Sequence, residues 1–530
     1  MRARFGLGLA LFLVFQGLFL LTASGRANRI ADEFEVYLQV ESLWERGSLA
    51  IPQVPPQLFF GKVGRDGQPY APYGPGVAFL ALPHHALARG TAWALGIEPT
   101  QVAAHKEWLA ALTSLASSTW AALAVLALFR AALALGASQR RAALVAALLG
   151  GATLLWPYGT LFFAEPAAAM AFAWAIAWSL EGRHRLAACA LAVMCATKGT
   201  YLLWTPVMAA LALGDEGARS LVQAFRGEAP RGETAQVLLR RLAPYVFGGA
   251  CALAVHLGNN YYRFGELLHF GYDWAEQLRP GEAPKPWSWR DLPRGLFGLL
   301  ASPGKSLFLF APPLALALAR LGVARRERPA LFLACVLAAL ILLPFYGSYM
   351  YWEGGYCFGP RHFVPLLPLL LLPLALGPAP RRSALAAVWV VGVGVQLLGV
   401  SVSYLEDQAR GIRENRSRYY DLRDDVEVGR PRNVYRLGYT PLRSYPPLIL
   451  DHLRGAPGSG RHGLEFLPLH LLRVNTLYRA GIPASGVWGV PGLGLLLLAL
   501  GGWGVRRGLR EGETGDLETG DPETGDPQAL

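Results

Sequence analysis

Long apolar runs recur along the whole chain, and they limit its fold more than any other feature of the sequence. A helix needs roughly 20 predominantly apolar residues to cross the hydrocarbon core of a bilayer, and many of the runs approach that length. Only 16% of the 530 residues are charged, whereas a soluble protein typically carries about 25%. The sequence therefore predicts an all-α polytopic membrane protein.

About twelve of the runs are predicted to span the membrane. The segment 77–95 is left out, because Pro83, two histidines and Arg89 make a crossing costly, and it is predicted to be a helix at the membrane face. The predicted spans are 5–21, 107–128, 142–156, 166–178, 186–196, 201–213, 242–257, 307–318, 330–346, 363–376, 385–404 and 486–505.

The distribution of basic residues agrees with this topology. Arginine clusters, including those of Arg140, Arg141 and Arg325, fall in cytoplasmic loops, as the positive-inside rule requires. Both termini are then cytoplasmic, and the short outer loops are nearly free of basic residues, with Lys198 and Arg361 as exceptions. The net charge of +12 is thus spread between apolar runs, which argues against a nucleic-acid partner.

Two adjacent carboxylates, Asp32 and Glu33, follow the first span on the extracytoplasmic side. Beyond them, apolar residues at helical spacing predict an amphipathic helix over 34–44 that lies on the membrane surface. One interpretation is that Asp32 only caps this helix. The other is that the carboxylate pair performs chemistry on a lipid-linked substrate, and both can hold at once.

Three further charged residues are predicted on the same face, and each also has a structural interpretation. Glu165 precedes Pro166 at the start of a helix, where it either meets the helix dipole or serves as a second catalytic carboxylate. Lys198 ends a short span, where it either extends to the interface or binds substrate. Arg361 follows a glycine-rich turn, where it either pairs with Glu353 or binds a phosphate through its planar guanidinium.

Lys305 lies in the sequence Ser-Pro-Gly-Lys-Ser (302–306), which resembles part of a phosphate-binding loop. Such a loop needs a glycine where this chain has Leu299, and the segment faces away from cytoplasmic ATP. A nucleotide site is therefore rejected, and Lys305 is predicted to meet an anionic headgroup instead. His84, His85 and the five cysteines lack metal-ligand spacing, so neither a metal site nor a disulfide framework is predicted.

Several of these features together resemble the GT-C superfamily of membrane glycosyltransferases. They are an acidic residue after the first span, an amphipathic helix, and a Tyr-Gly-Pro-Gly sequence (73–76) leading into a facial helix. The Asp32–Glu33 pair is similar to the acidic pair of protein O-mannosyltransferases, and Glu165 lies where the superfamily has its second acidic motif. The segments 302–305 and 355–361 look like segments of bacterial members, in the aminoarabinose transferase and rhizobial lipopolysaccharide-core transferase branch.

The resemblance implies transfer of a sugar from a polyprenyl-phosphate donor to a lipid, glycan or protein acceptor. Asp32 is then the general base, and Glu33 and Glu165 are further catalytic carboxylates. The substrate-binding candidates are Arg361, Lys198, Lys305, Tyr73 and His362. The implied location is the bacterial cytoplasmic membrane, among membrane lipids, with an extracytoplasmic active site. No cofactor follows from the resemblance, and dependence on a divalent cation stays open.

On this interpretation the chain divides into four parts. Residues 1–405 form the transmembrane catalytic core, 406–485 an extracytoplasmic loop region, 486–510 the last transmembrane helix, and 511–530 a cytoplasmic tail. The tail repeats Glu-Thr-Gly-Asp three times and has too few apolar residues to form a core, so it is predicted to be disordered.

Two other functions are weighed against the enzyme. A polytopic transporter or lipid flippase would place ionisable residues near the membrane midplane and use paired broken helices. No inverted repeat is visible in the sequence, and the acidic groups lie at one face, which favours the enzyme. A non-catalytic polysaccharide-assembly protein would keep the fold without needing Asp32.

Overall fold

The computed structural model describes residues 2–23, 31–54, 61–98, 103–226, 235–271, 286–355, 357–402, 404, 440–454 and 481–518. Most of the predicted loop region 406–485 and the end of the tail, 519–530, lie outside these residues. Within the described ranges, secondary structure is helical apart from one antiparallel pair of two-residue strands, in which Lys62 is opposite Tyr70.

The helices and strands are numbered in chain order. The first half of the chain contains α1 (Arg2–Thr22), α2 (Ala31–Arg46), β1 (Lys62–Val63), β2 (Pro69–Tyr70), α3 (Gly76–Ala94), α4 (Ala103–Ser114), α5 (Ala116–Ala134), α6 (Gln139–Ala152), α7 (Leu155–Tyr158), α8 (Ala164–Leu180), α9 (His184–Thr197), α10 (Thr205–Ala212), α11 (Gly214–Phe225) and α12 (Ala235–Phe264). The second half contains α13 (Leu292–Ala301), α14 (Leu307–Phe310), α15 (Pro313–Ala319), α16 (Leu321–Glu327), α17 (Pro329–Gly347), α18 (Leu367–Leu371), α19 (Arg382–Ser401), α20 (Pro441–Leu453) and α21 (Ala484–Glu518). The 3₁₀ segments are Gly199–Trp204, Arg361–Leu366 and Leu372–Ala375.

Among the described residues, four helices are long and apolar enough to cross a membrane by length and composition. They are His105–Ala134, Pro329–Gly347, Arg382–Ser401 and Ala484–Arg510. Shorter apolar helices are Gly6–Thr22, His184–Thr197, Gly199–Ala212, Leu292–Ala301 and Arg361–Ala375. The predicted class, an all-α polytopic membrane protein, is confirmed, whereas the count of about twelve spans stays a prediction.

Some element bounds differ from those expected. The predicted span 107–128 is two helices, α4 and α5, which meet at Leu115. Helix α13 lies in a stretch expected to be a loop, and it begins with a proline in its first turn, where no backbone N–H is needed. Helix α21 continues to Glu518, beyond the predicted end of the last span, and the disorder predicted for the tail 511–530 stays a prediction.

The core is built around α8, which packs between α5 and α9. Aromatic rings fill this core, and Phe172 meets Trp204 edge to face with ring centroids 4.8 Å apart. Helix α1 packs along α21, where a Cβ at Gly17 would lie only 2.6 Å from Gly494 O. The small residues therefore allow the first and last helices of the chain to touch.

Helix α2 forms where the sequence predicts an amphipathic helix over 34–44. Its apolar residues Val36 and Val40 are buried, but so are the polar residues Glu35 and Gln39. The segment after the helix contacts it through Gln53, which donates to Leu38 O at 3.1 Å. The polar residues of α2 are therefore not all exposed, and its position on the membrane surface stays a prediction.

The segment Arg361–Ala375 runs as alternating 3₁₀ and α-helical turns, because Pro365, Pro368 and Pro373 interrupt the regular hydrogen bonding. We call it the Arg361 segment. Its far end is fixed by two guanidinium groups. Arg141 donates to Leu374 O at 2.7 Å and to Leu376 O at 2.6 Å, and Arg320 donates to Leu376 O at 2.5 Å. Anchoring at this end leaves the near end of the segment to position Arg361.

Candidate active site

Arg361 lies between two carboxylates that come from distant parts of the sequence. Its Nη1 donates to Asp32 Oδ2 at 2.7 Å, and its Nε lies 4.0 Å from Glu165 Oε1. The Glu165 side chain is 3% exposed, whereas Asp32 and Arg361 are 20% and 17% exposed. The two predicted carboxylates therefore meet at one cation, and Asp32 and Arg361 keep limited access to the surroundings.

Tyr73 completes the surroundings of Asp32. Its hydroxyl donates to Asp32 Oδ1 at 2.6 Å, so each oxygen of the carboxylate accepts a hydrogen bond. The two glycines after Tyr73 explain how it gets there: a Cβ on either Gly74 or Gly76 would lie 2.6 Å from backbone atoms of Ala196. The Tyr-Gly-Pro-Gly sequence thus allows its loop to pack against the end of α9.

Lys198 follows directly on α9 and belongs to the same electrostatic cluster. It lies near enough to Glu165, Arg361 and Asp32 to interact with all three charges. Burial lowers the pKa of Lys198, and the attraction of the Glu165 carboxylate opposes that effect. The site therefore combines two carboxylates with two cations on four separate elements.

The charge state of Asp32 follows from competing effects. Burial acts to raise the pKa of Asp32, but the Arg361 guanidinium and the hydrogen bond from Tyr73 outweigh it, and the pKa lies below its ordinary value. Lys198 adds to the lowering. Asp32 is therefore an ionised carboxylate at neutral pH, able to accept a hydrogen bond or a proton.

The loop before the Arg361 segment is shaped by glycines in the left-handed region of φ. Gly354 has φ +83° and Gly359 has φ +66°, and a Cβ at Gly354 would lie 2.8 Å from Arg361 Cγ. On another side of the side chain, the guanidinium carbon lies 5.1 Å from the centroid of the Phe163 ring, a cation–π contact. The side chain of Arg361 is thus confined by backbone, ring and carboxylate.

Glu33, the neighbour of Asp32, has a different place. It is fully buried, and its Oε1 accepts a hydrogen bond from the backbone N–H of Phe162 at 3.1 Å. This bond joins α2 to the turn that carries Phe163 and Glu165. Through this bond, Glu33 helps to fix the position of α2, which carries Asp32, relative to the start of α8, which carries Glu165.

Lys305 and His362, both predicted to bind substrate, contact the protein itself. The buried Lys305 ammonium donates to Cys357 O at 2.8 Å and to Gly359 O at 3.1 Å. The buried His362 ring stacks on Tyr346, with centroids 4.7 Å apart and planes 7° from parallel. The described contacts of both residues therefore support the walls around Arg361.

Some residues of the site were missed by sequence reasoning. Phe163 lies under Arg361, and Tyr158 donates from its hydroxyl to Phe358 O at 3.0 Å. Arg263, at the end of α12, donates to Ala71 O at 2.6 Å and holds the Tyr73 loop. The available signal was weak: the sequence 156–165 is aromatic-rich next to Glu165, but aromatic residues occur throughout this chain.

Within the part of the chain that the structure describes, no group of three His, Cys, Asp or Glu side chains is arranged to hold a metal ion. In the cluster around Asp32 and Glu165, the positive charge between the carboxylates is the guanidinium of Arg361. The arrangement can bind an anion through Arg361 and Lys198 and can accept a proton at Asp32.

Comparison with known proteins finds similar solved structures of ArnT from Cupriavidus metallidurans. The structure bound to undecaprenyl phosphate has 17% sequence identity and a TM-score of 0.44, covering 94% of this chain and 77% of that chain. The apo state has 16% identity and a TM-score of 0.43, covering 92% of this chain and 75% of that chain. No protein family and no curated protein sequence matches the chain.

Proposed function

We propose that this chain is a membrane glycosyltransferase of the GT-C type that transfers a sugar from a polyprenyl-phosphate donor. The acceptor is a hydroxyl of a lipid, glycan or protein on the extracytoplasmic face of the bacterial cytoplasmic membrane. One observation carries the proposal: Arg361 lies between the partly exposed Asp32 and the buried Glu165, with Lys198 in the same cluster. In this proposal Asp32 is the base, and the adjacent Arg361 binds the phosphate of the donor.

The leaving group of such a reaction is a lipid phosphate, and Arg361 suits it. A guanidinium has five N–H donors, so Arg361 can keep its bond to Asp32 and still donate to phosphate oxygens. Lys198 adds a second positive charge. Because the Arg361 guanidinium is paired with Asp32, the Asp32 carboxylate repels an incoming anion less than an unpaired carboxylate would.

Asp32 supplies the base. The acceptor O–H gives its proton to a carboxylate oxygen of Asp32, and the acceptor oxygen forms a bond to the anomeric carbon of the donor sugar. The bond between that carbon and the phosphate oxygen breaks, and its electron pair stays with the polyprenyl phosphate. Arg361 and Lys198 stabilise the charge that develops on this phosphate.

The hydroxyl of Tyr73 and the carboxylate of Glu165 orient the two reacting charges. Tyr73 fixes one oxygen of Asp32, so the carboxylate cannot rotate freely. Glu165 attracts the Nε edge of Arg361 from the buried side, so the guanidinium keeps one orientation. A general base is effective only when its oxygen is held within hydrogen-bonding reach of the proton that it takes.

The test is sugar transfer from a polyprenyl-phosphate donor by purified Asp32→Asn. Asparagine is similar in size and caps a helix about as well as aspartate, but it cannot take up the proton. We expect transfer to fall by about 10²–10⁴-fold, the usual cost of losing a general base. Normal folding of this variant with wild-type transfer would contradict the role of Asp32.

Glu33→Gln is the matched control for the neighbouring carboxylate. The amide oxygen of glutamine can still accept the hydrogen bond from Phe162 N–H. We expect this variant to lose less than about tenfold in rate, since the proposed base Asp32 is intact. A loss in Glu33→Gln as large as that in Asp32→Asn would contradict the assignment of Asp32 as the sole base.

A further inference from the structure

We infer that Lys305 is a positioning residue that fixes the loop Cys357–Gly359 and thereby aims Arg361 at the phosphate, instead of binding the phosphate itself. The inference rests on the proposed function, because it concerns the donor phosphate of that reaction. It also assigns a purpose to the Ser-Pro-Gly-Lys-Ser sequence that no nucleotide site explains.

The contacts of the ammonium carry the inference. Lys305 Nζ donates to Cys357 O at 2.8 Å and to Gly359 O at 3.1 Å, and it lies 3.3 Å from Cys357 Sγ. An ammonium has three N–H donors, and these three acceptors all belong to one loop. With Lys305 only 3% exposed, a phosphate would have to displace a loop contact to reach it.

The turn that carries Lys305 is built to point its side chain inward. Ser302 Oγ accepts from Lys305 N at 3.1 Å and donates to Gly298 O at 2.7 Å. Ser306 Oγ donates to Leu300 O at 2.7 Å and accepts from Leu309 N, so it caps α14. Both serines thus serve the turn, and the lysine between them is directed toward the loop.

Two further contacts restrict the same loop. Tyr158 donates to Phe358 O, the carbonyl between the two that Lys305 bonds. A Cβ on Gly359 would lie 2.8 Å from Leu154 Cδ2, so the packing leaves no room for a side chain there. Since Arg361 is only two residues beyond Gly359, any change in the direction of these carbonyls moves the start of the Arg361 segment.

The first experiment is a double-mutant cycle of Lys305→Met and Arg361→Lys, measured as kcat and KM for transfer from a polyprenyl-phosphate sugar. Methionine keeps an unbranched side chain and removes the donors. We expect Lys305→Met to lower kcat by about tenfold in the wild-type background but by less than about twofold when Arg361→Lys is present, because residues acting as one unit are not additive. Multiplying effects would mean that Lys305 contacts phosphate independently, which would overturn the inference.

The second experiment needs no transfer, so it separates this inference from the proposed function. The exposed Cys189 and Cys251 are replaced by serine, and the rate of maleimide labelling of the buried Cys357 is measured in the full chain. We expect Lys305→Met to raise that rate by about tenfold or more, since local opening of the loop controls access to the thiol. An unchanged labelling rate would overturn the inference, and a wild-type protein without any transfer would overturn the proposed function alone.

Arg141→Met is the matched control, because Arg141 also donates to backbone carbonyls of the Arg361 segment, but at the opposite end. We expect it to leave Cys357 labelling unchanged and to show additive kinetics with Arg361→Lys. If Lys305→Met does not fold, Tyr158→Phe removes a different donor to the same loop and decides the question. Additivity of Tyr158→Phe with Arg361→Lys would then reject positioning by the loop.

Discussion

Guanidinium groups lie at both ends of the Arg361 segment, but their contacts differ. At the far end, Arg141 and Arg320 donate to the carbonyls of Leu374 and Leu376, which are fixed main-chain acceptors. At the near end, the guanidinium of Arg361 itself faces the side chains of Asp32 and Glu165. Arginine thus anchors the backbone at one end and presents charge at the other.

The two ends differ in whether the acceptor of each guanidinium can share its hydrogen-bond donor with a ligand. A carbonyl that loses its donor inside a protein stays unsatisfied, so the far end gains nothing by releasing its arginines. A carboxylate that shares a guanidinium with a phosphate keeps part of its interaction, so the near end can accommodate a ligand. We therefore expect substitutions at the far end to change stability and substitutions at the near end to change transfer.

The largest effect expected from this contrast is at Arg361. Arg361→Lys keeps the positive charge but loses the planar group that meets Asp32 and a phosphate together. We expect kcat/KM for transfer to fall by about 10²-fold, as when one donor to a developing oxyanion is lost. In Arg320→Lys, measured in parallel, transfer per folded molecule should stay within about threefold of wild type. Equal losses in the two variants would remove the distinction between the ends.

A smaller effect is expected at the far end. Arg320→Met leaves the carbonyl of Leu376 with fewer donors, and we expect the free energy of unfolding to fall by about 1–3 kcal/mol. Thermal unfolding in detergent, followed by tryptophan fluorescence, measures this change. A variant as stable as wild type but defective in transfer would mean that the far end, too, belongs to the reaction.

The smallest effect expected is a difference in pH dependence between the ends. Because the pKa of Asp32 is lowered in the folded protein, its ion pair stabilises the fold fully above the unfolded pKa of about 3.9, and that contribution is lost as the pH falls through the folded pKa. The stability gap between wild type and Asp32→Asn should be constant from about pH 7 to 5 and shrink below about pH 4. The gap between wild type and Arg320→Met should not shrink in this way, since the carbonyls that Arg320 bonds do not titrate. A gap for Asp32→Asn that widens in acid would mean that the Asp32 carboxylate is not held by Arg361.

Much of the fold could be predicted because the membrane leaves few alternatives for apolar runs. The predicted span 330–346 is α17, Pro329–Gly347, and the predicted span 166–178 lies within α8. The predictions were less accurate where the spacing of apolar residues in the sequence does not correspond to which residues are buried in the fold. Glu35 and Gln39 alternate with apolar residues, as in an amphipathic helix, but both are buried, and the periodicity of α2 does not reveal this.

The sequence allowed the residues of the candidate site to be selected, but not the contacts between them to be predicted. Asp32, Glu165, Lys198 and Arg361 could be selected because, in the predicted topology, few charged residues lie in the short outer loops. The pairing of these charges could not be predicted. Asp32 and Arg361 are 329 residues apart, and the sequence offered the nearby Glu353 as an alternative partner for Arg361. The direction of Lys305 depends on a hydrogen-bonded turn that only the folded chain displays.

The separation of Asp32 from Arg361 also has a consequence in time. Chains are synthesised at about 5–20 residues per second, so roughly 15–65 s pass between the emergence of Asp32 and that of the arginine that pairs with it. During that interval Asp32 can be hydrated, accept the hydrogen bond from Tyr73 and, once α9 is complete, interact with Lys198. The ion pair therefore closes late, after α8 and α9 have delivered Glu165 and Lys198. A nascent chain that ends just before residue 361 therefore holds two carboxylates and Lys198 without the guanidinium that lies between those carboxylates in the finished protein.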